Sequence, residues 1–232
     1  LQIELSEKEK AFYEALRLKA IKKLNNKDVP AGQKHLQILA EIMKLRRACC
    51  NVKLVEDKID LPSSKFNAFT EILEELLENK HKALVFSQFV DHLAILKKYL
   101  EENKIPFQYL DGSTSMKERK LRVDAFQQGE GEVFLISLKA GGTGLNLTAA
   151  DYVIHMDPWW NPAVEDQASD RAHRMGQKRP VTVYRLVAKD TIEEKIVDLH
   201  KHKRDLADSL LEETDMSGKI SADELLNLLK SK

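Results

Sequence analysis

The 232 residues of this chain include 37 lysines and arginines and 37 aspartates and glutamates, so the formal net charge is zero. With 43% hydrophobic and 32% charged residues, the composition is that of a globular protein with a real core and excludes a disordered chain. No apolar run approaches the ~20 residues that a membrane span needs, and no N-terminal signal pattern is visible, so we expect no membrane partner.

The start of the chain and its cysteines bear on its cellular context. The sequence begins at Leu1 rather than Met, so we expect a fragment or a processed product. Its two cysteines, Cys49 and Cys50, are adjacent, which is a poor arrangement for an unstrained disulfide bond. They lack Cys or His partners at zinc-binding spacing, so we predict buried helical thiols, a reducing compartment and no metal held by this chain.

The N-terminal region of the chain, residues 1–64, is predicted to be helical. Ser6 and Glu9 form a capping-box pattern, which predicts a helix that starts there and continues to about Leu24. Apolar residues recur at helical spacing over 33–48 and predict a second helix. We therefore expect this region to form a helical segment that precedes the main domain.

From residue 65 onward, strands alternate with helices. Five segments rich in apolar residues predict strands: 82–89, 106–112, 132–138, 151–157 and 181–188. Three intervening segments predict helices: 65–79, 91–102 and 115–128. This alternation predicts an α/β fold, in which a doubly wound parallel sheet extends over 65–200. Helix caps at Thr191 and Ser221 predict further helices, and 201–232 is assigned to a C-terminal helical extension.

A single helix is predicted over 161–177, a range that contains the segment DQASDRAHRMGQ. Asn161 is a favoured N-cap and Pro162 a favoured first helical residue, while Gly176 is suited to the C-terminal stop. At ~100° per residue, three polar side chains would then fall within an arc of roughly 60°: Gln167, Arg171 and Arg174.

The two arginines of this stripe are suited to bind an anion. The planar guanidinium group matches phosphate oxygens in a bidentate manner. Two such groups could neutralise the charge that builds up during phosphoryl transfer. The alternative is a solvated helix face with an ordinary ion pair between Asp170 and Arg174. The spacing alone leaves both interpretations open.

Other anion-binding candidates follow the predicted strands. The glycine-rich loop over 137–150 leaves a strand at its carboxyl end, where ligands bind in open α/β sheets. Its backbone N–H groups could form a phosphate nest, although a tight turn is an equal alternative. Residues 108–115, QYLDGSTS, end another strand before a helix N-terminus. Of Trp159 and Trp160, one is expected in the core; the other could stack on a base or sugar, although packing is favoured.

Taken together, these motifs resemble the second RecA-like lobe of Swi/Snf-type DNA translocases of helicase superfamily two. Five segments carry the resemblance: ALVFSQF, YLDGSTS, SLKAGGTGLNLTAADYVIHMDPWWNP, DQASDRAHRMGQ and VYRLVAKDTIEEKI. In that family, two RecA-like lobes enclose ATP, and double-stranded DNA lies across both. The resemblance therefore implies the C-terminal motor lobe of an ATP-dependent double-stranded DNA translocase, with a helical protrusion before it and brace helices after it.

The resemblance also implies roles for individual residues. Arg171 and Arg174 match the family's arginine fingers, and Gln167 matches the leading glutamine of the same motif. The positions implied for ATP are Gly142, Gly144 and Asn146. The positions implied for DNA are Ser87, Gln88, Gly112, Ser113, Lys139, Gly141, Thr143 and Trp160.

The sequence contains no Walker A lysine loop and no Asp-Glu-x-His box, which in this family belong to the first lobe. ATP and Mg²⁺ are therefore expected to be bound mainly by that lobe. The implied partners of this chain are that first lobe and double-stranded DNA. The chain alone is expected to be monomeric and inactive. Its location would be nuclear in a eukaryote, or cytoplasmic and nucleoid-associated in a prokaryote. The alternatives are a lobe of an RNA helicase and a non-catalytic interaction module that retains the fold.

Overall fold

The computed structural model describes residues 1–25, 31–140, 145–207 and 220–230. The strands are β1 (Gln2–Ile3), β2 (Ala83–Ser87), β3 (Phe107–Leu110), β4 (Val133–Ser137), β5 (Tyr152–His155), β6 (Thr182–Arg185) and β7 (Val187–Ala188). The helices are α1 (Glu7–Leu24), α2 (Ala31–Cys50), α3 (Ser64–Glu78), α4 (Val90–Glu102), α5 (Met116–Gln127), α6 (Pro162–Ser169), α7 (Ile192–Ala207) and α8 (Ala222–Lys230). Within these ranges, no helix combines the length and apolarity required to cross a bilayer.

The chain divides into two compact units. The sheet unit consists of Leu1, Phe66–Asp157 and Ala163–Leu186. The helical unit consists of Gln2–Lys65, Pro158–Pro162 and Val187–Lys232. The predicted division into three successive segments differs from this one, because the N-terminal and C-terminal helical segments share a single unit.

A five-stranded parallel sheet forms the centre of the sheet unit, in the order β3-β4-β2-β5-β6. Strands β2 and β4 are buried along their whole length, as their continuous apolar sequences require of inner parallel strands. The chain places β3 and β4 on one side of β2, and β5 and β6 on the other. The predicted α/β fold with a doubly wound parallel sheet is confirmed. Beside β2 the strand order reverses, which is where such sheets bind ligands at their carboxyl edge.

The last predicted strand, 181–188, is divided in the structure. Residues Thr182–Arg185 pair with β5 in the large sheet. Residues Val187–Ala188 instead pair in parallel with Gln2–Ile3, a short strand that the sequence patterns did not predict. The apolar pattern is continuous across both segments and therefore gave no indication that they join different partners.

The core of the helical unit is formed by apolar residues from both ends of the chain. Its largest contributions come from four helices, α1, α2, α7 and α8, with members that include Leu24, Ile42, Leu45, Ile192, Ile196, Leu225 and Leu229. The Tyr13 hydroxyl accepts a hydrogen bond from the Ile192 backbone N–H at 2.7 Å. The Arg17 guanidinium donates to the Leu229 carbonyl at 2.7 Å. These long-range contacts explain why residues distant in sequence form one unit.

Candidate functional site

A row of register-paired residues crosses the large sheet near its carboxyl edge. Its members are Leu110, Ile136, Phe86, His155 and Arg185. Paired residues of parallel strands project to the same face of a sheet. The Phe86 and His155 rings are accordingly stacked, with their centroids 5.4 Å apart and an interplanar angle of 20°. This face carries the groups that position α6.

Two residues of this row hold α6 against the sheet. Arg185 donates from Nε to Glu165 Oε2 at 2.6 Å and from Nη2 to Asp166 Oδ1 at 2.9 Å. His155 Nε2 lies 3.0 Å from Ser169 Oγ. The Ser169 hydroxyl donates to the Glu165 carbonyl, so we assign the proton of this contact to His155 Nε2. Burial, followed by the charges of Arg185 and Arg171, lowers the pKa of His155 to about 3, and the ring is therefore neutral.

Helix α6 ends at Ser169, so the helix predicted over 161–177 is wrong in its C-terminal half. The Arg171 carbonyl accepts from the Leu147 backbone N–H at 2.9 Å. The Ala172 carbonyl accepts from Gln177 Nε2 at 3.1 Å. In a continuing helix, these two carbonyls would accept from backbone N–H groups of the next turn. Here they accept from other donors instead. The predicted arc of Gln167, Arg171 and Arg174 on one helix is not formed, because both arginines lie in the turns after α6.

The two predicted finger arginines occupy different environments. Arg171 is only 3% exposed, and its guanidinium carbon lies 5.4 Å from the centroid of the Phe86 ring. Arg174 is exposed, as is Gln167 on α6. Burial, followed by the charges of Arg174 and Arg119, lowers the pKa of Arg171 to about 10. Arg171 nevertheless remains cationic at neutral pH.

Arg119 on α5 and Arg174 after α6 lie within range for their charges to act on Arg171, so three guanidinium groups share this region. We call these residues the arginine cluster. Like charges held close together raise the free energy of the protein unless an anion approaches them. Such a cluster fits the oxygens of a phosphate chain and does not fit a metal cation. Sequence patterns did not single out Arg119, because its proximity to Arg171 depends on the tertiary fold.

Ser87 and Gln88 lie at the carboxyl end of β2 and share one partner, Asp157. The Ser87 hydroxyl donates to Asp157 Oδ1, and Gln88 donates to Oδ2 from Nε2 at 2.7 Å and from its backbone N–H at 3.2 Å. Asp157 is 2% exposed and follows the end of β5, at the same edge of the sheet. Sequence patterns did not select it, although a carboxylate at the end of a predicted strand was a visible signal.

Gly112 and Ser113 lie in the exposed turn after β3. Ser113 donates to Asp111 Oδ1 from its hydroxyl at 2.6 Å and from its backbone N–H at 2.9 Å. The Ser113 hydroxyl is the largest of the contacts that hold the pKa of Asp111 below its usual value. The turn is therefore formed by local contacts, and α5 follows it with Ser115 as its N-cap.

The glycine-loop residues are described only at the two ends of the loop. Lys139 and Asn146, on either side of it, are exposed. The predicted nucleotide and DNA positions between them lie outside the described residues: Gly141, Gly142, Thr143 and Gly144. The described flanks follow β4 and precede β5, so the loop leaves the sheet at its carboxyl edge.

Trp160 is 6% exposed and belongs to the apolar core of the helical unit. The Arg46 guanidinium carbon lies 5.4 Å from the centroid of its ring. Trp159 is likewise buried, at 8% exposure. Both tryptophans therefore pack within the protein, and the contact of Trp160 with DNA stays a prediction. The packing alternative, which composition favoured, describes both residues.

Comparison with known proteins agrees with this fold. Residues 64–176 match the model of the helicase conserved C-terminal domain. The chain is 40% identical over 232 residues to an uncharacterized ATP-dependent helicase of Mycoplasma genitalium, covering 99% of this chain and 22% of the relative. It thus spans about a fifth of the length of the curated relatives it matches.

Two solved structures from Sulfolobus solfataricus are similar over the whole chain. The SWI2/SNF2 ATPase C-terminal domain is 30% identical, with a TM-score of 0.79, 100% of this chain covered and 97% of that chain. The SWI2/SNF2 ATPase core in complex with dsDNA is 31% identical, with a TM-score of 0.81, 100% of this chain covered and 49% of that chain. The parallel sheet, its flanking helices and this extent of similarity show that the chain belongs to the SWI2/SNF2 ATPases, as their C-terminal RecA-like helicase lobe.

Proposed function

We propose that this chain is the C-terminal motor lobe of an ATP-dependent double-stranded DNA translocase, in which it supplies arginine fingers and contacts to the DNA backbone. The observation that carries the proposal is the position of Arg171, whose guanidinium lies against the Phe86 ring near the carboxyl end of β2. The charges of Arg174 and Arg119 act on this group as well. Relatives that match 99% of this chain are ATP-dependent helicases, which supports the use of ATP by the full-length protein.

ATP, bound with Mg²⁺ mainly by a first lobe, would supply the phosphoryl group on which these residues act. The Arg171 guanidinium lies against the Phe86 ring, and the Arg171 carbonyl accepts from the Leu147 backbone N–H. The guanidinium is therefore pre-organised. Arg174 is exposed and can extend toward a nucleotide on an opposing surface. Pre-organised cations lower the free energy of a transition state because no reorganisation is needed as charge develops. Gln167 and Asn146, both exposed, are proposed to contact the same nucleotide.

The DNA contacts are proposed at the ends of β2, β3 and β4. Ser87, Gln88, Gly112, Ser113 and Lys139 lie there, and the glycine-loop positions Gly141 and Thr143 are included because the family resemblance implies them. A relative of the same fold was solved with dsDNA. Contacts to phosphates carry no sequence information, so binding is expected to tolerate any sequence and to weaken steeply with salt. Trp160 is left out of the proposed interface because its ring packs in the apolar core of the helical unit.

The proposal is tested with Arg171→Ala in the full-length protein. We expect a loss of DNA-stimulated ATP hydrolysis on the order of 10³-fold or more, with duplex DNA affinity nearly unchanged. Arg179→Ala is the matched control, since Arg179 is exposed, pairs with Asp151 and precedes β6 at the opposite edge of the sheet. Unchanged turnover in Arg171→Ala would reject the finger role, and preferential stimulation by RNA would favour an RNA helicase instead.

A further inference from the structure

We propose that Arg119 is a third phosphate-binding residue of this site, positioned on α5 to contact an oxyanion that Arg171 and Arg174 also face. This inference rests on the proposed function and extends it to a residue outside the finger motif. The oxyanion is a phosphate group, and its source is either the bound nucleotide or the DNA backbone.

The Arg119 side chain carries an unsatisfied donor. Its Nε atom is buried, and no hydrogen-bond partner reaches it among the residues that the structure describes. A buried donor without a partner costs free energy, so native proteins retain such groups rarely. An arriving phosphate oxygen would satisfy this donor.

Arg122, one turn further along α5, is an arginine of the same helix whose guanidinium has hydrogen-bond partners within the protein. It donates from Nη1 to the Tyr109 carbonyl and from Nη2 to Glu118 Oε1 at 2.6 Å. Glu118 is the adjacent carboxylate of α5, and its Oε1 is engaged by Arg122. These two acceptors therefore pair with Arg122, and neither pairs with Nε of Arg119.

The charges around Arg119 also favour an anion. The positive charges of Arg119 and Arg174 both disfavour the charged form of Arg171 and so lower its pKa, in addition to the effect of burial. Three cations in one place destabilise the protein by mutual repulsion, and a phosphate bound among them removes that cost. The effect on Arg171 also places Arg119 within interaction range of the finger motif.

Arg119 lies close in sequence to the turn proposed to contact the DNA backbone. The helix begins directly after the turn of Gly112 and Ser113, with Ser115 as its N-cap. Arg119 lies one turn into the helix, since its backbone N–H donates to the Ser115 carbonyl at 2.8 Å. The proposed DNA-backbone turn therefore directly precedes the helix that carries a residue of the arginine cluster.

The experiment compares Arg119→Ala, Arg119→Gln and Arg119→Lys in the full-length protein. The matched control is Lys120→Ala, which removes an exposed positive charge from the same helix. Three quantities are measured at one salt concentration: the KM for ATP, the kcat at saturating duplex DNA, and the Kd for duplex DNA. Thermal denaturation identifies any variant that is unfolded, and Arg119→Gln, similar in length and neutral, serves if Arg119→Ala does not fold.

We expect the neutral variants to raise one binding constant by about tenfold or more, with Arg119→Lys recovering part of the loss and Lys120→Ala unchanged. A rise in the KM for ATP identifies the nucleotide phosphate, and a rise in the Kd for DNA identifies a backbone phosphate. If a folded neutral variant leaves both constants within about twofold of the wild type, the inference is overturned. Arg171→Ala is assayed in parallel: its failure to lower turnover would reject the proposed function, whatever Arg119 does.

Discussion

Arg185 on β6 donates from Nε to Oε2 of Glu165 on α6 at 2.6 Å, and the Glu165 side chain is completely buried. A carboxylate removed from water needs cationic and hydrogen-bonding partners to remain ionised. The pair therefore connects the last strand of the large sheet to the helix that immediately precedes Arg171. We expect the position of Arg171 to depend on this contact, although Arg171 is not a member of the pair.

Replacing Arg185 by Ala should destabilise the chain by about 2–4 kcal/mol, since it removes a partner of a buried carboxylate. The cost is expected below that of a fully buried pair, because Arg185 is 34% exposed. Urea denaturation of this chain measures the change. Asp166→Ala is the control, since Asp166 is the exposed partner of Arg185 and should cost about 1 kcal/mol or less. Equal costs in the two variants would contradict this assignment.

Acid should destabilise the sheet unit through His155. Its pKa is about 3 in the folded protein against an ordinary 6.5, so between these values the unfolded chain binds the proton and the folded chain does not. The stability contributed by the neutral ring is complete above the ordinary pKa and declines as the pH falls, by at most about 1.4 kcal/mol per pH unit.

His155→Gln should therefore flatten the pH dependence of the unfolding free energy between about pH 6 and pH 4. Urea denaturation at a series of pH values measures the slope. His173→Gln removes an exposed histidine and should retain the wild-type slope. If the two variants have the same slope, His155 is not the group responsible.

Lys139→Ala should weaken binding of the full-length protein to duplex DNA equally for all sequences. Loss of one phosphate contact reduces the slope of log K against log salt concentration by about 1. Lys178→Ala is the control, because Lys178 is also exposed but precedes β6 at the amino edge of the sheet. A reduction of the slope by Lys178→Ala and not by Lys139→Ala would place the DNA on the other edge.

Trp160 is expected to contribute to stability and not to DNA binding. Trp160→Ala should destabilise the helical unit by about 3–5 kcal/mol, as for other large residues of a packed core. Trp160→Phe retains most of the apolar volume and should leave the Kd for DNA unchanged. A weaker Kd in a Trp160→Phe variant of wild-type stability would restore the DNA contact that the sequence suggested.

The ion pair of Lys65 and Glu193 offers a test of the helical unit. Both side chains are 0% exposed, and Nζ lies 2.6 Å from Oε2. Lys65→Met should cost about 3–5 kcal/mol because the buried carboxylate loses its cation. Adding Glu193→Gln, which removes the charge and keeps an acceptor for the Ala188 backbone N–H, should recover much of that loss in denaturant titrations. No recovery in the double variant would show that the charge itself is not the source of the cost.

The sequence by itself determined the alternation of strands and helices, and hence the parallel α/β fold. Those features depend on local patterns: the continuous apolar strands β2 and β4 and the caps at Ser6 and Ser115. It also contained the motifs that carry the family resemblance, because these are short and contiguous.

Tertiary structure decided the features that depend on distant partners. The end of α6 follows from donors on Leu147 and Gln177, and the division of the last predicted strand follows from pairing with β1. The burial of Trp160 and the proximity of Arg119 to Arg171 have the same origin. Periodicity reports only neighbours along the chain, whereas these features are set by hydrogen bonds, packing and charges between residues that folding alone brings together.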